Sequence, residues 1–438
     1  MKILNITPMY YPFARGGERH ATVVSERLAA RGHEVTVVTT DAMSETDMQQ
    51  GRDAGLPRSE TIHGVHILRV PASDGALPGI IKFGLRLKGG YRSLNYLFTP
   101  AGLEVLARPP RHLGFLNAVL RTKADLIVAW NWYWPPAYQA FLAKAFKRCR
   151  LVGIPFFHPA DGWVQGPLYD RMIAACDALV VNTAYEKDFV LDRVGGSNIL
   201  VAGPGIEPAF FDCSDGSGFR RRYGIEGAPL VGYMGTLSKH KKVDKIVEAM
   251  PAVWRSNGDA RLLLAGFPDD RFPRLKEVIE FLPPEQRRKV LLLPDLPESE
   301  KANFYAALDV FVMPSVGESF GISYLEAWMC GKPVIGARIG STCCVIDEGE
   351  DGLLVNPDDV SEISRTVVEL LADPQRRERM GARGRDKTLK QFTWGTLCDG
   401  IEDFFLKVAM APASSISKRH RKSSPLAALE NSGAAQRD

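Results

Sequence analysis

The sequence predicts an α/β protein with two doubly wound domains, each built on a parallel sheet. Two observations support this prediction. Short apolar runs alternate with helical segments along most of the 438 residues, as in βαβ units. The alternation also starts afresh after a stretch of linker-type residues from Cys213 to Gly218. Since ligands of such sheets bind beyond the carboxyl ends of the strands, we expect a site in a cleft between the domains.

The first half opens with a strand–helix–strand unit. The β-branched run at 34–40 predicts a strand, and the apolar spacing at 21–30 predicts the helix that precedes it. Gly16 and Gly17 are expected in the loop before that helix. Short continuous apolar runs predict strands covered on both faces, at 2–6, 125–129, 151–154 and 178–182.

The second half repeats the alternation. A helix is predicted from 243 to about 250, ending or kinking near Pro251, and another from about 319 to 330. Strands are predicted at 230–234, 261–265, 290–293, 310–313 and 334–336. The predicted organisation is an N-terminal domain at 1–210, a C-terminal domain at 219–390, a helix at 391–412 packing back on the N-terminal domain, and a disordered basic tail at 413–438.

Composition excludes several classes of protein. A net charge of +4 gives no reason to expect nucleic acid as a partner. The seven cysteines are scattered without a CxxC pair, which argues against a disulfide framework or a zinc cage. No stretch approaches the roughly 18 apolar residues of a membrane span. We therefore expect a cytoplasmic protein, with at most peripheral contact at the inner face of the membrane.

The most informative segment runs from Pro314 to Ile335, directly from one predicted strand to the next. The free N–H groups at the start of its helix suit phosphate oxygens, and Gly321 allows a ligand to approach the backbone. Glu318 and Glu326 are eight positions apart, roughly 12 Å along a helix axis. Carboxylates at that separation suit sugar hydroxyls at one end and ribose hydroxyls at the other. Taken alone, the two glutamates are better explained without a function, Glu318 as a helix-capping acid and Glu326 as a residue on a solvated helix face.

This Glu-x7-Glu pattern, with Gly-Glu-Ser-Phe-Gly between strand and helix, resembles retaining GT-B glycosyltransferases, in particular glycosyltransferase family 4. The resemblance extends from Met1 to about Trp394 and includes the Gly16-Gly17 loop, the step at 31–35 and the segment at 350–358. It implies two Rossmann-like domains facing a cleft and transfer of a sugar from a nucleotide-diphosphate sugar, with retention and without a metal or other cofactor. The expected product class is cell-surface polysaccharide or glycolipid.

The resemblance also implies roles for particular residues. Lys241 matches a family lysine that faces the departing diphosphate, whereas Thr236 stands at the usual arginine position. His240 or Lys242 is a candidate to compensate. The catalytic residues expected are His158, Lys241 and Glu318. The donor-binding residues expected are Gly16, Gly17, Gly235, Thr236, Lys241, Gly266, Ser319, Phe320, Gly321, Ile322 and Glu326.

The acceptor side is less well defined. Asn131 follows a predicted strand at a position where related chains often carry a polar group. The segment 77–123 mixes basic and aromatic residues, including Lys82 and Arg86, which suits a membrane interface or a lipid-linked acceptor. A helical insertion packed on the first domain explains the same pattern. A saccharide or lipid-linked acceptor is therefore expected, with the nucleotide sugar as donor.

Two other functions remain open at this point. One is a GT-B relative with other chemistry, such as a sugar phosphorylase or a nucleotide-sugar epimerase. The other is a non-catalytic nucleotide-sugar-binding protein, which Thr236 in place of arginine keeps possible. A dinucleotide oxidoreductase is disfavoured, because the first loop contains Gly16-Gly17 and not G-x-G-x-x-G.

Overall fold

The computed structural model describes residues 1–13, 16–72, 113–144, 146–147, 149–159, 164, 167–195, 198–268 and 272–412. The chain divides into two compact units. Unit 1 comprises Met1–Ala202 and Cys398–Asp438, and unit 2 comprises Gly203–Leu397. Each unit contains one sheet flanked by helices, so the predicted α/β class is confirmed. The predicted tail at 413–438 lies outside the described residues.

Unit 1 contains an eight-stranded sheet among its described residues, in the order β3-β4-β2-β1-β5-β6-β7-β8. Neighbouring strands are parallel except β3 and β4, which pair antiparallel at one edge. The strands are β1 (Lys2–Ile6), β2 (Glu34–Thr40), β3 (Ser59–Ile62), β4 (Val65–Val70), β5 (Leu126–Trp130), β6 (Arg150–Ile154), β7 (Ala178–Val181) and β8 (Ile199–Val201). The helices are α1 (Gly16–Ala30), α2 (Glu45–Gln50), α3 (Leu113–Arg121), α4 (Pro135–Lys144), α5 (Pro167–Ala175) and α6 (Ala184–Val194).

The described part of unit 2 forms a six-stranded parallel sheet in the order β11-β10-β9-β12-β13-β14. The strands are β9 (Leu230–Met234), β10 (Arg261–Gly266), β11 (Val290–Pro294), β12 (Val310–Met313), β13 (Val334–Ala337) and β14 (Gly352–Val355). The helices are α7 (Gly216–Arg222), α8 (Val243–Ser256), α9 (Phe272–Glu280), α10 (Pro284–Arg287), α11 (Lys301–Ala307), α12 (Ile322–Met329), α13 (Thr342–Val345), α14 (Val360–Ala372), α15 (Pro374–Gln391) and α16 (Trp394–Met410). The division between the units falls inside α16.

Burial explains why the central strands were readable in the sequence. Every residue of β5, β9 and β12 is buried, as expected for strands covered by helices on both faces. A continuous apolar run is the sequence pattern of such a strand. The antiparallel strand β3 alternates between exposed and half-buried residues, and the sequence pattern did not reveal it.

Four predicted boundaries were wrong, each for a local reason. Helix α1 begins at Gly16, five residues early, so the glycine pair lies in its first turn. The expected linker is partly helix α7, which Asp215 caps by accepting from the Gly218 amide. Helix α8 continues through Pro251, because its apolar face stays buried beyond that residue. Helix α12 begins at Ile322, two to three residues late, with Gly321 as its N-cap.

Candidate functional site

The strand order of unit 2 reverses direction between β9 and β12. The chain runs outward from β9 through β10 to β11, then returns to β12 on the other side of β9. Loops that leave the carboxyl ends of such adjacent strands diverge and leave a crevice for ligands. The loops here are 235–242 after β9 and 314–321 after β12. The amide of Val316 donates to the His240 carbonyl at 2.8 Å, which ties the two loops together.

This crevice brings together two residues predicted from the sequence. The Lys241 ammonium forms a close ion pair with the Glu318 carboxylate, although the two are 77 residues apart in the chain. Their side chains are 21% and 10% exposed, so the pair is mostly buried but still partly open to solvent. An ammonium group has three donors, and therefore Lys241 can bind Glu318 and an anionic ligand together. The crevice therefore holds a cation, the Lys241 ammonium, next to a carboxylate, that of Glu318, which can accept hydrogen bonds from hydroxyls.

The start of helix α12 lies beside this pair. Gly321 is its N-cap, with φ at +96°, a conformation that favours glycine. A Cβ at this position would lie 2.5 Å from the Tyr324 ring, so space as well as backbone geometry requires glycine. Phe320 is buried against Phe392, with ring centroids 5.4 Å apart. The first amides of α12 are thereby held in place as donors for an anion.

Glu326 is buried and has two partners that were not predicted from the sequence. Its Oε1 accepts from Lys301 Nζ at 2.8 Å, and its Oε2 accepts from the Tyr305 hydroxyl at 2.8 Å. Lys301 and Tyr305 are four residues apart on α11 and so share one helix face. That spacing was visible in the sequence, but nothing local connects the face to Glu326 more than twenty residues away. Glu326 is therefore not a solvated residue on a helix surface.

The remaining donor-side residues lie in the same unit. A Cβ at Gly266, where φ is +134°, would lie 1.8 Å from the Gly235 carbonyl oxygen, so close backbone contact alone accounts for Gly266. Thr236 is exposed, and its carbonyl accepts from the Tyr233 hydroxyl at 2.7 Å. Lys242 binds Asp358 at 2.5 Å, and this bond lowers the pKa of the Asp358 carboxyl. Of the two residues expected to compensate for Thr236, Lys242 is thus already paired with a carboxylate.

In unit 1 the strand order reverses between β1 and β5, and predicted residues cluster there as well. The Asn131 amide, just after β5, donates to the buried Glu18 carboxylate at 2.9 Å. Glu18 lies in the first turn of α1, which follows β1. Asn131 takes a left-handed conformation with φ at +49°, which asparagine tolerates better than most residues. Glu18 was not predicted from the sequence to be a site residue.

The glycine pair also has a packing role. A Cβ at Gly17 would lie 2.4 Å from the Phe156 ring, so the ring occupies the space that any larger residue would need. A Cβ at Gly16 would meet nothing within 4 Å, but its φ of +35° is unfavourable for other residues. His158 follows β6 and is half-buried. Lys82 and Arg86 lie outside the described residues.

The described residues lack two further features. In those ranges no group of three or more histidine, cysteine, aspartate or glutamate side chains could hold a metal ion. Among the described helices none is both long and apolar enough to cross a membrane.

Comparison with solved structures defines the class to which this fold belongs. Sucrose-phosphate synthase from Thermosynechococcus elongatus superimposes with a TM-score of 0.71 at 20% identity, covering 93% of this chain and 98% of that one. Anabaena HepE, solved in complex with UDP-glucose, gives a TM-score of 0.70 at 18% identity, covering 93% and 100%. At these identities the likeness shows the fold alone, which is the two-domain GT-B architecture predicted from the sequence.

Sequence comparison identifies the family. The description "Glycosyl transferases group 1" matches residues 218–387, and "Glycosyltransferase Family 4" matches residues 14–210. A D-inositol 3-phosphate glycosyltransferase from Acidothermus cellulolyticus is 32% identical over 72% of this chain and 76% of its own length. A second D-inositol 3-phosphate glycosyltransferase, from Stackebrandtia nassauensis, is 28% identical over 89% of this chain and 86% of its own length. The chain therefore belongs to glycosyltransferase family 4, and it is a glycosyltransferase.

Proposed function

We propose that the chain transfers a sugar from a nucleotide-diphosphate sugar to a hydroxyl of a saccharide or lipid-linked acceptor, with retention at the anomeric carbon. The observation that carries the proposal is the crevice of unit 2, where Lys241, Glu318 and the start of α12 converge. A diphosphate needs a cation and free N–H donors, and a sugar needs a carboxylate acceptor. HepE, whose solved complex holds UDP-glucose, supports the choice of donor class.

Each residue has a part in the proposed reaction. The bond from the anomeric carbon to the diphosphate breaks while the acceptor oxygen bonds to that carbon on the same face. The acceptor proton passes to the departing phosphate oxygen. Lys241 and the amides of 320–322 stabilise the charge that develops on the leaving group, as preorganised donors do in other enzymes. Glu318 holds sugar hydroxyls, Glu326 holds ribose hydroxyls, and His158 orients the transferred sugar.

We propose further that no metal takes part. In metal-dependent transfer a divalent cation neutralises the diphosphate. The proposal is supported by Lys241 and by the N-terminal end of α12, because both can supply positive charge to a diphosphate. Transfer measured with and without a chelator tests this point, and loss of activity that Mg²⁺ or Mn²⁺ restores would refute it.

The relatives favour a second acceptor class. Several are named D-inositol 3-phosphate glycosyltransferases, and their acceptor by name is a phosphorylated cyclitol. The acceptor candidates to be assayed are therefore simple saccharides, lipid-linked saccharides and inositol phosphates.

The test is a transfer assay with UDP-, GDP- and ADP-glucose, each offered with these acceptors, and products analysed by mass spectrometry and NMR. A new glycoside with the anomeric configuration of the donor supports the proposal. An inverted product would refute retention. Release of sugar phosphate from a glycoside by inorganic phosphate, with no nucleotide dependence, would replace the transferase by a phosphorylase.

A further inference from the structure

A buried trio of polar side chains supports Glu326. Lys301 and Tyr305 reach it from α11, each donating to a different carboxylate oxygen at 2.8 Å. The Tyr305 side chain is fully buried, and the Lys301 and Glu326 side chains are 19% and 11% exposed. Lys301 also binds Glu298 at 3.0 Å, on the more exposed side of the group.

The charges in this trio are well defined. Burial alone would lower the pKa of Lys301, but the carboxylates of Glu326 and Glu298 outweigh burial and raise that pKa. Lys301 therefore remains an ammonium near neutral pH. Burial, helped by the Glu326 charge, raises the pKa of Tyr305 well above its usual value, so its hydroxyl remains a neutral donor. Glu326 thus has one charged and one neutral donor.

Two hydrogen bonds fix the orientation of the Glu326 carboxylate, which a single hydrogen bond would not. The terminal torsion of a glutamate is broad, so a carboxylate held through one oxygen can still rotate about that bond. Here each oxygen has its own donor, which fixes the plane of the group. Each oxygen of an ionised carboxylate has about two acceptor positions, so one remains on each for a ligand. The remaining pair has a fixed spacing and direction, which suits two hydroxyls on adjacent carbons.

We infer that Lys301 is a positioning residue, which together with Tyr305 fixes Glu326 so that the donor site selects nucleotides with both ribose hydroxyls over deoxynucleotides. The inference rests on the proposed function, in which Glu326 binds the ribose. Lys301 need not touch the ligand. Its effect is on selectivity: a site built to pair with hydroxyls rejects an analogue that lacks one, because its own acceptor is then left unpaired.

The test is calorimetric titration of the full chain with UDP, GDP and ADP and with their 2′-deoxy counterparts. The measured quantity is the ratio of the two dissociation constants. The wild type should bind its tightest-binding ribonucleotide at least about tenfold more tightly than the 2′-deoxy counterpart. A tenfold ratio corresponds to the free energy of a single well-placed hydrogen bond to a charged group. Lys301→Met, which keeps an unbranched apolar side chain but removes the ammonium group, should reduce the ratio to about threefold or less. Lys301→Arg should restore most of it.

One control variant, two further variants and a folding check separate the possible outcomes. Lys390→Met removes an exposed ion pair with Asp386 in the same unit and should leave the ratio unchanged. Tyr305→Phe should reduce the ratio as Lys301→Met does. If Lys301→Met fails to fold, Lys301→Gln and Tyr305→Phe test the same point. Thermal melts identify variants that are merely unfolded.

Two results would overturn the inference in different ways. A wild-type ratio kept in Lys301→Met, but lost in Glu326→Gln, would refute the role of Lys301 and leave the ribose site intact. No preference in the wild type, and no change in Glu326→Gln, would refute the ribose role of Glu326 itself and with it this part of the proposed function.

Discussion

At the scale of single residues, Lys241 and Glu318 show how two distant sequence positions form one local arrangement. Lys241 lies in a short 3-10 turn after β9, and Glu318 lies in the loop after β12. Because β9 and β12 are neighbours in the sheet, the two loops emerge side by side. The close ion pair between them leaves further N–H donors of Lys241 for a diphosphate.

Replacing Lys241 by methionine should slow transfer without unfolding the protein. Loss of one preorganised donor to a developing anion typically costs about 10²–10³ in kcat. Lys239→Met is the matched control, since Lys239 is an exposed lysine two positions away in the same turn. Steady-state kinetics on both variants checks this. Equal losses in the two variants would show that the loop needs only general positive charge.

The site could be predicted from the sequence where its pattern is local, and not where it depends on packing. The Glu318–Glu326 spacing and the lysine-rich loop were readable because each is one continuous segment. The partners of Glu326 were missed because Lys301 and Tyr305 approach it only through the packing of α11 against α12. Glu18 was missed because its bond to Asn131 spans 113 residues and forms only when β1 and β5 are paired.

At the scale of elements, most strands were predicted, but β3, β4, β8 and β14 were not, and helix boundaries were predicted less well. A buried strand needs a continuous apolar run, so β5, β9 and β12 appear directly in the sequence. Where a helix ends depends on the balance between backbone preferences, such as those of proline, and the burial of apolar side chains. In α8, an interior proline costs about 3 kcal/mol, yet burial of Val253 and Trp254 keeps the helix intact beyond Pro251.

Close packing of α15 on α12 gives a stability prediction. A Cβ at Gly384 of α15 would lie 2.1 Å from the Trp328 ring, which is buried and hydrogen-bonded through its Nε1. Gly384→Ala should therefore destabilise the protein by about 1–3 kcal/mol, as overpacking does in other cores. Chemical denaturation measures this change in the free energy of unfolding.

Gly400 of α16 provides the matched control. A Cβ there would meet nothing within 4 Å, and the residue is exposed. Gly400→Ala should be neutral or stabilise by about 0.5–1 kcal/mol, because alanine favours a helix interior. If Gly384→Ala were as well tolerated as Gly400→Ala, the close contact between α15 and Trp328 would be contradicted.

The anchoring of α16 within unit 1 gives a pH prediction. The Glu402 carboxylate binds Arg31 and His33, which lie in the turn between α1 and β2. Burial alone would raise the pKa of Glu402, but these bonds outweigh it and lower the pKa. A lowered pKa means that the unfolded state binds the proton more readily. The stabilisation is therefore present above the unfolded pKa of about 4.3 and is lost as pH falls through the folded value.

Thermal melts of Glu402→Gln and the wild type across pH test this linkage. The variant should melt lower at pH 7, and the gap should narrow as the pH drops below about 4.3. Asp403→Asn, at the exposed neighbouring position, should show little difference at any pH. A gap that stays constant down to the acid limit would show that the carboxylate charge is not what anchors α16.

At the scale of the whole molecule, the candidate site residues of each unit lie where the strand order of its sheet reverses. Unit 1 does so with Glu18 and Asn131, and unit 2 does so with Lys241, Glu318 and the start of α12. The reversal follows from topology and recurs in doubly wound folds with different chemistries. Family membership makes the chain a glycosyltransferase, and the charges in unit 2 support a nucleotide-diphosphate sugar as the donor.

The measurement that tests this central claim most directly is calorimetric titration of the wild type and Glu326→Ala with UDP, GDP, ADP, inorganic phosphate and glucose 1-phosphate. One nucleoside diphosphate should bind the wild type, and the variant should bind it at least about tenfold more weakly, a change of about 1.4 kcal/mol. That nucleotide also names the base of the donor. Binding of phosphate or sugar phosphate with no nucleotide binding, or nucleotide binding unaffected by Glu326→Ala, would contradict the donor site described in unit 2.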